Sequence, residues 1–175
     1  MYERLHLEDE DEFFRVSTGS LPDLEVVREV MTEAYARFAD ENSGKAADYI
    51  PALARVSPDL FGVSMVGVGG ADIGMGDCDH LFSIQSISKP FVFALVCQAL
   101  GAEGARARVG VNATGLPFNS VMAVELNADR TMNPMVNAGA IATTSCVPGA
   151  NAEEKFRFIQ DGLSRFAGRR LEVDE

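Results

Sequence analysis

A chain of 175 residues, 47% of them hydrophobic, can bury a core and suits one globular domain. Its net charge of -11 argues against nucleic acids and anionic membrane surfaces as partners, and no apolar run approaches the ~18 residues of a membrane span. The three cysteines, Cys78, Cys97 and Cys146, are far apart and odd in number, which indicates reduced thiols and a cytoplasmic protein.

Residues 1–19 are expected to form an acidic, solvated N-terminal extension. Residues 8–12 are all acidic where an export signal needs a basic and then an apolar segment, so we expect no signal peptide. Residues 20–175 are expected to belong to one domain. Its first helix is predicted over residues 21–40, with Ser20 as the N-cap.

A hairpin and three further helices are predicted along the rest of the chain. The apolar residues 60–68 and the glycine-rich residues 71–76 form the hairpin around a Gly69-Gly70 turn. The helices are predicted over residues 91–100 with Gly101 as the stop, over residues 137–145, and over the amphipathic residues 152–167, with short helical turns and loops in residues 102–120.

Ser86 stands three residues before Lys89 in the segment FSIQSISKPF (residues 82–91), which begins and ends with phenylalanine. This pair is the chain's only Ser-x-x-Lys motif. Positions i and i+3 share one face of a helical turn, so Lys89 is expected to reach the Ser86 hydroxyl. A serine needs a base to become a nucleophile, and a lysine becomes such a base when burial favours its neutral form. The motif therefore predicts a nucleophile and its base.

Pro90 has no N–H to donate to residue 86, so a regular α-helix cannot run through the whole motif. We expect a 3₁₀-like lead-in, with the regular helix starting near Pro90. The alternative is that Ser86 is only an N-cap and Lys89 a solvated charge. The apolar residues on both sides of the motif favour a buried turn. Other ways of activating a catalytic serine have few candidate residues here, since the chain has only His6 and His80 and lacks Gly-x-Ser-x-Gly.

A second unusual segment is NPMVNAGAI, residues 133–141. Asn133-Pro134 marks a turn, and Asn137 is expected at or near a helix start. Its amide can donate and accept, which suits a substrate's amino-acid or amide group, although a helix N-cap explains it equally well. The turn-rich residues 115–120 either shape a pocket rim or only connect helices. Tyr49 either reaches a substrate carboxylate or is a buried tyrosine with one local hydrogen bond.

Four segments together resemble the serine-dependent glutaminase family, in the family's order and with closely similar spacing. These are GKAADYIP (44–51), IQSISK (84–89), PFNS (117–120) and NPMVNAGAI (133–141). The resemblance covers about residues 21–175. It implies hydrolysis of L-glutamine to L-glutamate and ammonia, with no metal or organic cofactor; no His, Cys or acidic cluster has metal-ligand spacing.

The same resemblance implies that Ser86 is the nucleophile and Lys89 its activating base. Tyr49 and Asn137 match family positions that contact bound glutamine. The implied fold is an α/β fold of the α+β kind, β-lactamase/transpeptidase-like, with an antiparallel sheet flanked by helices beside a helical subdomain. The family habit of forming homodimers or homotetramers implies a homo-oligomer.

One departure is that the family domain continues well past the position matching Glu175. Residues 20–175 are therefore expected to be only the N-terminal part of a glutaminase catalytic domain. The chain is expected to be an N-terminal fragment with a C-terminally incomplete fold, inactive and poorly folded alone. A rival reading is a penicillin-binding or β-lactamase-like enzyme, which would also need Ser-Asp-Asn and Lys-Thr-Gly; neither occurs here. The rival from another class is a non-catalytic remnant of the fold.

Overall fold

The computed structural model describes residues 22–67, 69–111, 113, 115–126 and 133–173. Within them the chain combines helices with a two-stranded antiparallel sheet. It divides into two compact units, Met1–Leu81 and Phe82–Glu175. None of the helices in this described part is long and apolar enough to cross a membrane.

Helix α1 of the first unit spans Leu24–Phe38, which confirms the predicted helix with a slightly later start and an earlier end. Asp23 occupies the N-cap position, while the predicted cap Ser20 lies outside the described residues. The helix buries Met31 and stacks Tyr35 on Phe61, with ring centroids 5.1 Å apart. These contacts attach α1 to the neighbouring hairpin.

The predicted hairpin is confirmed. Strands β1 (Gly62–Val66) and β2 (Asp72–Gly76) are antiparallel, with Ser64 opposite Gly74. Gly70 turns the chain with a φ of 84°, a left-handed conformation that glycine adopts without steric cost. Ile73 is the buried side chain of the pair, and a short helix, α2 (Pro51–Ala54), precedes β1.

The second unit begins with a 3₁₀ turn, Gln85–Ile87, which continues into the long helix α3, Ser88–Val109. The predicted 3₁₀ lead-in is thus confirmed, and the regular helix starts two residues before Pro90. The chain also leaves helical geometry at Gly101, as expected, with φ 73° and ψ 160°. It resumes the helix immediately, because residues 102–109 are rich in alanine and arginine, which are strong helix formers.

Three more helices follow: α4 (Met122–Glu125), α5 (Asn137–Ser145) and α6 (Ala152–Phe166). Helices α5 and α6 match the predictions, whereas α4 was not predicted. Asn151 caps α6, since its side chain accepts the Glu154 N–H at 2.9 Å. The expected apolar face of α6 is only partly covered, because Phe156 and Phe166 remain about half exposed.

Helices α3, α5 and α6 enclose the hydrophobic core of the second unit. At its centre lie Val92, Val96, Ala105 and Val147, each at most 7% exposed. Gly162 lets α6 approach α3 closely, because a Cβ there would lie 2.8 Å from a methyl group of Leu95. This core supports the two segments that carry the sequence motifs, the start of α3 and the start of α5.

Candidate functional site

Ser86 lies in the middle of the 3₁₀ turn that leads into α3. The residue before it, Gln85, has a φ of 42°, the only positive φ at a non-glycine position in the described chain. An L-residue reaches this left-handed region at a cost of roughly 1–2 kcal/mol. The Ser88 hydroxyl donates to the Gln85 carbonyl at 2.6 Å and so helps to hold the turn that presents Ser86.

Lys89 is half-buried, and its ammonium group is held by α5. Its Nζ donates to Asn137 Oδ1 at 2.6 Å and to the Met135 carbonyl at 3.1 Å. An ammonium group has three donors, so one remains after these two bonds. The structure therefore brings Lys89 and Asn137, two of the residues singled out from the sequence, into direct contact across 48 positions of chain.

The expectation that the Ser86 turn is buried is wrong for the described chain. Ser86 is exposed, and Phe82 and Ile87 beside it are 77% and 55% exposed. Apolar residues beside a segment make its burial favourable, but the segment is buried only where other parts of the protein pack against it. Within the described chain the Ser86 hydroxyl makes no hydrogen bond, and Lys89 bonds to Asn137 in its place. Catalytic hydrogen bonds are often long in unliganded sites, so the missing bond alone does not rule out the pair.

Asn137 is the first residue of α5, and its side chain does not cap the helix. The N-cap position belongs to Val136, which offers no side-chain acceptor, so the alternative of an Asn137 N-cap is wrong. The Asn137 backbone N–H donates to the Phe118 carbonyl at 2.9 Å. The loop of residues 117–120 thus anchors the start of α5 and does more than connect helices.

The small residues of α5 allow close packing, as their sequence predicts. A Cβ on Gly139 would overlap the carbonyl oxygen of Asn133 and lie 2.7 Å from its carbonyl carbon. Asn133 in turn accepts the Met135 N–H on its side-chain Oδ1 at 2.8 Å. The segment 133–135 therefore lies directly against the first turn of α5, with Pro134 buried.

A shallow, open pocket of about 280 Å³ lies over the 3₁₀ turn and α5. It is lined by Gln85, Ser86, Ser88, Lys89, Ala140, Ile141 and Thr144. Ser86 and Lys89 thus share one surface depression, and Asn137 is attached to it through Lys89. The pocket offers a hydroxyl and an amine to the same small ligand.

Tyr49 belongs to the first unit, ahead of α2, and is 79% exposed. The alternative of a buried structural tyrosine is therefore wrong, while its contact with a substrate stays a prediction. His80 is exposed. Across the described ranges, no group of histidine, cysteine and acidic side chains is arranged to hold a metal ion.

The sequence motifs missed one participant, the Met135 carbonyl that accepts from Lys89. A backbone acceptor carries no residue signature, so no side-chain pattern could have identified it. The Asn133-Pro134 turn was the available signal, because an Asx turn fixes the peptide groups that follow it. Burial raises the pKa of the Cys97 thiol, which makes this core cysteine a poor candidate nucleophile.

Solved structures first define the class of protein. A probable glutaminase named ybaS superposes with a TM-score of 0.81 and 37% identity, over 88% of this chain and 50% of that one. A probable glutaminase of Bacillus subtilis gives a TM-score of 0.67 and 30% identity, over 85% of this chain and 44% of that one. The chain thus has the β-lactamase-like fold of these proteins and covers about half of it.

Sequence comparisons then give the family. The glutaminase family model matches residues 44–175. Glutaminase 2 of Yersinia pestis is 56% identical over 160 residues, which are 91% of this chain and 47% of that protein. A glutaminase of Colwellia psychrerythraea is 46% identical over 154 residues, 88% of this chain and 50% of that protein. The chain belongs to the glutaminase family, and it spans about half the length of the relatives it matches.

Proposed function

We propose that the protein to which this chain belongs hydrolyses L-glutamine to L-glutamate and ammonia. The observation that carries the proposal is that Ser86 and Lys89 line one pocket, and Lys89 is hydrogen-bonded to Asn137, in a member of the glutaminase family. A related protein, Mglu, which is 35% identical to this chain, has been solved in its tris and glutamate form. Glutamate is the product that this reaction would leave in the site.

Ser86 would attack the side-chain amide carbon of glutamine. Lys89, in its neutral form, takes the hydroxyl proton as the bond between Ser86 Oγ and that carbon forms. The same proton then passes to the departing nitrogen, so that ammonia leaves and a glutamyl ester remains on Ser86. Water attacks this ester with Lys89 again as the base, which releases glutamate and restores the serine hydroxyl. The sequence of steps needs no metal and no organic cofactor.

Asn137 has two tasks in this scheme. Its Oδ1 accepts a hydrogen bond from Lys89, which lines the pocket. Its side-chain N–H groups have no acceptor within the described ranges, so they are available to donate to the substrate. A carboxylate of glutamine is the natural acceptor, since hydrogen bonds to charged groups are stronger than neutral ones. Tyr49 is proposed as a second contact to bound glutamine.

We also propose a cytoplasmic homo-oligomer, a homodimer or a homotetramer. Support for the location comes from Cys78, Cys97 and Cys146, which are all free thiols, as expected in a reducing compartment. Support for the oligomer comes from the family resemblance. Analytical ultracentrifugation of the complete gene product would measure its mass in solution, and a monomer at micromolar concentration would contradict the second part.

The test of the reaction is ammonia release from glutamine by the complete gene product, before and after Ser86→Ala. We expect the substitution to lower kcat by at least about 10³-fold, because the other groups cannot replace the nucleophile. Ser64→Ala on strand β1 is the matched control and should leave turnover unchanged. Absence of turnover in the unaltered protein, or its survival in Ser86→Ala, would overturn the proposal. Labelling of Ser86 by a penicillin without glutamine turnover would favour the rival enzyme class.

A further inference from the structure

We infer that Asn133 is a positioning residue for Lys89, acting through the carbonyl group of Met135. The inference rests on the proposed function, because it assigns Asn133 a part in the same site. Asn133 itself is half-buried. Its influence would pass through the backbone that follows it.

The first step of the argument is the pair of acceptors on Lys89. One is a side-chain oxygen, Asn137 Oδ1, and the other is the backbone oxygen of Met135. A peptide group is planar, so its carbonyl can point at the amine only if the backbone dihedrals on both sides of that plane are fixed. The direction of the Met135 carbonyl is therefore decided by its neighbouring peptide groups.

Both neighbouring peptide groups are anchored. The peptide before Met135 is held by Asn133, whose Oδ1 accepts the Met135 N–H at 2.8 Å. The peptide that joins Val136 to Asn137 is held by the Phe118 carbonyl, which accepts the Asn137 N–H at 2.9 Å. Pro134 restricts the chain further, since its ring fixes φ. The Met135 carbonyl lies between two tethered planes and keeps its direction towards Lys89.

The backbone of Asn133 is also confined from the other side. Gly139, in the first turn of α5, leaves no room for a Cβ beside the Asn133 carbonyl. The close approach fixes residue 133 against the helix whose first residue supplies the other acceptor for Lys89. Asn133 therefore connects both acceptors of Lys89, Asn137 Oδ1 and the Met135 carbonyl, to helix α5. A base keeps one orientation when the groups that hold it belong to a rigid element.

Loss of the Asn133 oxygen should loosen the hold on the Lys89 amine. We expect Asn133→Ala in the complete gene product to lower kcat for glutamine about tenfold, because small displacements of a reacting group are costly. KM should change little, because a residue that acts only through the orientation of Lys89 affects the chemical step and not the binding of substrate. Asn133→Asp keeps an acceptor oxygen in the same place and should restore most of the rate.

Asn151→Ala is the matched control. It removes the same kind of bond, a side-chain oxygen accepting a backbone N–H, at the start of α6. Both alanine variants should lower the thermal unfolding midpoint, but only Asn133→Ala should lower kcat. A kcat for Asn133→Ala equal to that of Asn151→Ala would overturn the inference, because Asn133 would then be merely structural.

A second readout does not depend on turnover. Lys45, Lys89 and Lys155 are the chain's lysines, so acetylation by an amine-reactive ester can be followed at each by peptide mass spectrometry. Asn133→Ala should accelerate acetylation of Lys89 about fivefold relative to Lys45. A fivefold change in rate corresponds to the free energy of about one hydrogen bond. An unchanged ratio would overturn the inference. If the unaltered protein does not hydrolyse glutamine, the proposed function fails, and the acetylation ratio still decides the role of Asn133.

Discussion

The two compact units of this chain bury their apolar residues to different degrees. Among the described residues the first unit buries two hydrophobic side chains fully, Met31 and Ile73. The second unit buries six, which are Val92, Leu95, Val96, Ala105, Val109 and Val147. The second unit therefore has a core of its own, whereas a two-stranded hairpin with one buried side chain is marginal.

This difference in burial distinguishes the unit that carries Ser86, Lys89 and Asn137 from the unit that carries Tyr49. Ser86, Lys89 and Asn137 all stand at or just before the starts of α3 and α5, which pack on the larger core. Tyr49 stands in the first unit on an exposed segment. The proposed function assigns the reaction to residues of the second unit, and one proposed glutamine contact, Tyr49, to the first. The following predictions test that division, from the largest expected effect to the smallest.

Lys89→Met should have the largest effect on activity. The substitution keeps the length of the side chain but removes the proposed base, so glutamine kcat/KM in the complete gene product should fall about 10³-fold. Lys155→Met, in the same unit, removes a lysine that donates to the Ser145 carbonyl and should leave turnover near the unaltered rate. Equal activity of the two variants would remove Lys89 from the mechanism.

Gly139→Ala should destabilise the second unit by about 3 kcal/mol, because the new Cβ would overlap the Asn133 carbonyl unless the backbone moves. Gly44→Ala is the control, since a Cβ at Gly44 would meet no atom within 4 Å. It should change the free energy of unfolding by less than about 0.5 kcal/mol. Chemical denaturation measures both, and a stable Gly139→Ala variant would refute the close packing of α5.

A pair of valine truncations compares the two units directly. Val96 is 0% exposed in the core of the second unit, and Val66 is 68% exposed on strand β1. Val96→Ala should cost about 2 kcal/mol through lost burial and a new cavity, whereas Val66→Ala should cost less than about 0.5 kcal/mol. Thermal unfolding of the two variants gives the comparison. The reverse ranking would mean that the first unit carries more of the stability than its burial indicates.

Tyr49→Phe tests the first unit's part in binding. Loss of a hydrogen bond from the hydroxyl to a substrate carboxylate should raise KM for glutamine about tenfold and leave kcat nearly unchanged. Tyr35→Phe makes the same chemical change on α1, where the ring stacks on Phe61, and should not affect KM. If KM stays constant in Tyr49→Phe, the hydroxyl has no role in binding glutamine.

Local patterns in the sequence predicted most of the secondary structure. Helical spacing and turn glycines identified α1, the hairpin, α5 and α6, because these features depend on neighbouring residues. The continuation of α3 beyond Gly101 was not predicted, since a glycine stop and a glycine kink look alike in sequence. Burial of Ala105 and Val109, which are both 0% exposed, adds to the helix propensity of residues 102–109 and favours the continued helix.

The members of the candidate site come from the sequence, whereas the contacts between them come from the structure. The Ser-x-x-Lys spacing identified Ser86 and Lys89, and the NPMVNAGAI segment identified Asn137. The bond between Lys89 and Asn137 spans 48 positions, and neither local pattern contains the other partner. The acceptor role of the Met135 carbonyl was equally hidden, because it depends on backbone direction and not on the identity of a side chain.

The left-handed backbone at Gln85 has a consequence for engineering this protein. A glycine at position 85 would remove the conformational cost, so a library selected only for thermal stability should enrich glycine there. The Gln85 side chain, however, forms part of the wall beside Ser86. A library selected for turnover should instead keep a side chain at this position. Position 85 is thus where selection for stability and selection for catalysis should lead to different sequences.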